Sequence, residues 1–198
     1  IPSGEIPNLP FLEHVARFGK PMIVSTGMCR LGEVEDAVRA IEGAGNHHLA
    51  LLHCVSSYPA DPVTVNLRAM RTLSHSFGVP VGFSDHTVGL VVAAAAVALG
   101  ASIVEKHFTL DRRLPGPDHL ASLEPEELID LVKAIRTVES ALGNGQKVPV
   151  PSETNTADVA RKSLVAAADI AAGSVLSADI IAIRRPGTGL PPSMLPYI

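Results

Sequence analysis

The sequence predicts an α/β fold: four βα units forming the C-terminal half of a (β/α)8 TIM barrel, followed by a small, truncated β-rich domain. Three observations carry this. Through residue 147, short β-branched runs alternate with helical stripes, the pattern of a parallel sheet covered by helices. The strand-like runs are almost continuously apolar, as in strands buried on both faces. Each run ends in polar residues, which suits the C-terminal rim where barrels carry their sites. No Gly-x-Gly-x-x-Gly follows any run, which weakens a dinucleotide-binding doubly wound sheet.

Taken in order, Leu12, Val15 and Phe18 form a first stripe, followed by a strand-like run over 21–25. Val34, Ala37, Val38 and Ile41 repeat at i, i+3, i+4 and i+7, with Gly43 and Gly45 as stop signals. A run over 49–56 precedes the stripe Leu67, Met70, Leu73 and Phe77, which ends before Gly78. Two more runs cover 79–84 and 101–109. The apolar stretch 88–99 between them is Ala-rich and too short to span a bilayer. The strongest helix follows, with Pro125 in its first turn and Glu124, Glu126 and Glu127 at the positive end of its dipole. Its stripe runs through Leu128, Leu131, Val132, Ile135, Val138 and Leu142 to Gly143. Four units are half a barrel, with two unpaired edges, so unless a partner chain supplies the rest, an N-terminal half of similar size is expected before Ile1. Residues 148–160, with Pro149 and Pro151, read as a linker. Residues 161–198 read as an incomplete second domain, with strands over 163–168 and 180–183 about a turn at Gly173.

Composition narrows the class of function. Of 198 residues, 46% are hydrophobic and 18% charged, a globular rather than a disordered balance. The net charge of −4 contains no block of one sign, so neither nucleic acid nor an anionic membrane is expected as a partner. No charged-then-apolar leader opens the chain, and a cytoplasmic protein is expected. Cys29 and Cys54 form no Cys-x-x-Cys pair and read as packed thiols.

The chemistry gathers at the strand ends. Alternation puts Ser84 and His86 on one face with Asp85 on the other, and pairs Glu105 with His107. Two readings stand for the histidines. They are hydrogen-bonded rim residues, or they are ligands of an octahedral ion such as Mn²⁺, Mg²⁺ or Co²⁺. Lys106 alternates away from both, which reads as an outward-facing stem. Ser3, Ser25, Ser56 and Ser84 are loop caps or donors to an anion, and Asp118 is a turn residue or reaches over the rim.

These residues carry a resemblance. Ser3-Gly4-Glu5, Ser25-Thr26-Gly27-Met28, Leu51-Leu52-His53-Cys54 leading to Tyr58-Pro59, Ser84-Asp85-His86-Thr87, Glu105-Lys106-His107-Phe108 and Gly116-Pro117-Asp118 together resemble the sialic acid (N-acetylneuraminate) synthase family. That family includes legionaminic and pseudaminic acid synthases and a spore-coat polysaccharide branch. The tail, especially Arg185-Pro186-Gly187, resembles its antifreeze-like (SAF, β-clip) domain. The resemblance implies a transferase that condenses phosphoenolpyruvate with an N-acetylated hexosamine such as N-acetylmannosamine, releasing phosphate by C–O cleavage. It implies that His86 and His107 hold the divalent ion, Mn²⁺ or its Mg²⁺ or Co²⁺ equivalent. Glu5 would handle water, and Glu105 and Asp118 would orient the sugar hydroxyls. Ser3, Ser25 and Ser84 would contact phosphoenolpyruvate, with Ser56 standing where some members carry Asn. Tyr58 would line the pocket, and Arg185 would come from the partner's SAF domain in a swapped homodimer. The family's phosphate-binding lysine has no counterpart, so no synthase activity is expected of these residues alone. The competing readings are another phosphoenolpyruvate aldol-type barrel, such as a sugar-phosphate synthase, and a non-catalytic carbohydrate-binding remnant.

Overall fold

A computed structural model describes residues 1–198, which divide into two compact units, Ile1–Asn144 and Gly145–Ile198. No helix is long and apolar enough to cross a membrane. In the first unit, four strands alternate with helices: α1 (Leu9–Ala16), β1 (Met22–Ser25), α2 (Leu31–Gly43), β2 (Leu49–Cys54), α3 (Ala69–Phe77), β3 (Val81–Asp85), α4 (Val91–Ala98), β4 (Val104–Lys106) and α5 (Pro125–Leu142). The sheet is parallel throughout, in the order β1-β2-β3-β4.

Alternation along each strand divides the residues between two faces. Met22 and Val24, Leu49 and Leu51, and Val81 and Phe83 pack under Leu12, Val34, Ile41 and Leu73 of the helices. The opposite face presents Ser25, Cys54, Ser84 and Glu105. Gly82 sits on that face because a Cβ there would lie 2.4 Å from the Ile103 carbonyl oxygen. The longest helix starts as its sequence predicts, with the Glu124 N–H donating to the Glu127 carboxylate at 2.9 Å.

Two elements differ from the sequence reading. The stretch 88–99 contains α4, whose Ala93, Ala96 and Val97 are buried while Val91 is 75% exposed. Being apolar all round, this helix has no stripe to read. The expected linker is also partly helical, holding α6 (Thr154–Ala160). In the second unit, β5 (Ser163–Ala166) and β6 (Ile181–Arg184) pair antiparallel.

Candidate active site at the strand ends

A cavity of about 360 Å³ opens on the helix-free face of the sheet. Its lining brings together Ser3, Ser25, Tyr58, Ser84, His86, Glu105 and His107. Ser84 lies between Cys54 and Glu105 in the parallel register, so one row of side chains crosses three strands. The Ser84 hydroxyl donates to the Glu105 carboxylate at 2.7 Å and lies 3.4 Å from His86 Nε2.

His86 is buried, and its Nδ1 lies 2.7 Å from the Val55 carbonyl oxygen. A carbonyl only accepts, so Nδ1 carries a proton, which leaves Nε2, on the Ser84 side, as the ring nitrogen available to a ligand. The His107 ring is 5.3 Å from that of His86, centre to centre. The Tyr58 ring lies 4.2 Å from His86 and 5.4 Å from His107, which closes a cluster of three rings. Partial burial raises the Tyr58 phenol pKa, with the neighbouring Cys54 thiol group and the Asp118 and Glu105 carboxylates adding to the effect. Tyr58 therefore stays a neutral hydroxyl at physiological pH.

The remaining expected residues stand outside this lining. Asp118 lies beside it, with Oδ2 4.0 Å from His107 Nδ1 and a side chain 56% exposed. Glu5 accepts from Asn8 Nδ2 at 2.7 Å. Ser56 sits one step behind, its hydroxyl 3.2 Å from that of Ser3. Both crowd Gly27, where a Cβ would stand 2.3 Å from Ser56 Oγ. Arg185 belongs to the second unit, where it is exposed. A larger cavity of about 460 Å³ lies by Cys29, His53 and Arg68 and holds none of the expected site residues.

Lys106 corrects an expectation. Its stem does face away from Glu105, yet it does not reach solvent: its side chain is 3% exposed and its Nζ lies 2.9 Å from Asp85 Oδ2. The helices cover that face, so an ammonium there needs a buried partner. Cys54 was read only as a packed thiol, although it lines the cavity with Sγ 3.0 Å from Ser25 Oγ. The same alternation that placed Ser84 and His86 could have placed it, counting from Leu52.

The donor set fits a divalent ion in part. The two imidazoles converge, and the backbone partner at Nδ1 orients the His86 ring so that Nε2 is its coordinating nitrogen. No third His, Cys, Asp or Glu joins them into a cluster. That set suits an octahedral ion completed by water and substrate oxygens better than a closed structural zinc site.

Known proteins share this architecture. Residues 1–147 match the NeuB family and residues 161–197 the SAF domain. The chain is 46% identical to an N,N'-diacetyllegionaminic acid synthase of Legionella pneumophila over 202 residues, covering 100% of this chain and 57% of that protein. It is 41% identical to a spore coat polysaccharide biosynthesis protein of Bacillus subtilis, covering 94% of this chain and 54% of that protein. A crystal structure of the sialic acid synthetase from Leptospira borgpetersenii in complex with citrate superposes with a TM-score of 0.72 at 40% identity, covering 79% of this chain and 54% of that one. The chain thus spans little more than half the length of these relatives.

Proposed function

Since the chain belongs to the NeuB family and carries a SAF domain, we propose that it supplies the ion-binding half of a nonulosonate synthase. The full protein condenses phosphoenolpyruvate with an N-acetylated hexosamine. The observation that carries this reading is the inward row Ser25, Ser84, His86, Glu105 and His107 around one cavity. Carbon 3 of phosphoenolpyruvate bonds to the sugar's aldehyde carbon, whose oxygen takes a proton and becomes a hydroxyl. Water then adds at the cationic carbon 2 and loses a proton, and phosphate leaves with its bridging oxygen as C–O cleavage gives the 2-keto acid.

This chain's residues have distinct parts in that sequence. Ser3, Ser25 and Ser84 present hydroxyls to the carboxylate or phosphate of phosphoenolpyruvate. Glu5 is the carboxylate for water and Glu105 and Asp118 are those for the sugar hydroxyls, and this carboxylate-rich rim suits the positive charge that develops at carbon 2. Neutral Tyr58 covers the two imidazoles. His86 and His107 would hold a divalent ion such as Mn²⁺, which would supply Lewis acidity for polarising the sugar aldehyde.

The strands offer no cation to the phosphate, because Lys106 is committed to Asp85 on the far side. Residues 1–198 alone are therefore expected to release no phosphate. Phosphate release from phosphoenolpyruvate, N-acetylmannosamine or its diacetylated counterpart, and Mn²⁺ tests the reading. Turnover is expected from the full-length protein, and the absence of turnover with every such aldehyde would overturn it.

A further inference from the structure

Behind the cavity, on the helix-covered face, Asp85 and Lys106 stand opposite each other in the register of β3 and β4. Their side chains are 0% and 3% exposed. Asp85 Oδ1 accepts from both the N–H and the hydroxyl of Thr87 at 2.8 Å, and Oδ2 accepts from Lys106 Nζ at 2.9 Å. Lys106 Nζ also donates to the Thr87 carbonyl oxygen. Asp85 and Thr87 flank His86 in the chain, and Lys106 immediately precedes His107. One closed network therefore ties the backbone on both sides of His86 to the residue that carries His107.

From this we infer that Asp85, Thr87 and Lys106 form a brace that sets the spacing and ring orientation of His86 and His107. They are positioning residues for the ion-binding pair, and the inference rests on the reading of those histidines as ligands. Stability alone does not account for the brace. Replacing a buried ion pair by apolar residues of similar volume is often neutral or stabilising. The other helix-facing side chains of β1 and β2 are Met22, Val24, Leu49 and Leu51, with His53, bonded to the Val65 carbonyl oxygen at 2.7 Å, as the single polar member, and none is an acid, a lysine or an arginine. Charge enters this layer where both strands lead into imidazoles.

The test uses the full-length protein with Asp85→Leu and Lys106→Met combined. Thermal melting should show the fold retained. Mn²⁺ affinity, read by electron paramagnetic resonance titration, should fall roughly 10–100-fold, the range for loss of an outer-shell partner. In the metal-free protein, ¹H–¹⁵N spectra of the histidine rings should show His86 protonated at Nδ1 in the wild type and as a tautomer mixture in the variant. A folded variant with wild-type affinity and ring spectra overturns the brace. Should this variant not fold, Asp85→Asn with Lys106→Gln keeps amide hydrogen bonds and is expected to show a smaller loss of affinity, with no loss overturning the inference. A wild type that binds no Mn²⁺ instead refutes the ligand reading. The ring spectra then decide the brace, with unchanged rings against it and altered rings for it.

Discussion

The two units bury very different things. Ile1–Asn144 encloses Leu12, Ile41, Leu51 and Phe83 almost completely, and with them an ion pair. In Gly145–Ile198 the one fully buried side chain is that of Ser163, whose hydroxyl donates to the Pro186 carbonyl oxygen at 2.6 Å. Its sheet has two strands, and an isolated two-stranded sheet is marginal in water. A dry interior is what allows Lys106 to be held to one partner and His86 to one tautomer, because buried polar groups must find fixed partners. An exposed residue such as Arg185 has no such constraint.

The sharpest way to break this contrast is at the metal pair. His107→Ala in the full-length protein should lower Mn²⁺ affinity by more than the roughly 100-fold that bounds outer-shell losses. Arg185→Ala should leave it unchanged, and an equal loss from both variants, read by the same resonance titration, would erase the distinction between the units. Next in size is Phe83→Ala, which should cost about 3–5 kcal/mol in urea denaturation followed by far-ultraviolet circular dichroism. Leu164→Ala in the partly buried strand β5 should cost about 1–2 kcal/mol and leave the first unit's transition in place. A loss as large as that of Phe83→Ala would reveal a second core of equal depth.

The smallest effect concerns pH. The Glu124 N–H and then the Arg112 guanidinium hold the Glu127 carboxyl below its ordinary pKa. Its folded value being depressed, the stabilisation is present above the unfolded value of about 4.3 and is lost as pH falls through the folded one. With the Glu127 side chain 34% exposed, Glu127→Gln should destabilise by a few tenths to about 1 kcal/mol at pH 7. The difference from wild type should vanish near pH 2 in parallel urea titrations.

Much of the site was legible because strand alternation is simple. Ser84 with His86, and Glu105 with His107, were placed on one face by counting alone, and the cavity contains all four. α4 was not legible, because a helix of Val and Ala buried on one side and apolar on the other has no periodic contrast. Lys106 was misread because a long cationic stem on an outward face usually snorkels to water. Only the register that sets Asp85 opposite it reveals the pair.

The sequence by itself determined the alternation of strands and helices, the face each strand residue occupies, and the resemblance that points to a synthase. These are local properties, set by a backbone that turns each successive side chain through a fixed angle. Tertiary structure alone decided that Val55 would fix the His86 tautomer from 31 residues away, that Cys54 would meet Ser25, and that Lys106 would close on Asp85 and Thr87. Those contacts depend on how neighbouring strands slide into register and what the helices exclude from water, and neither is encoded within a single strand.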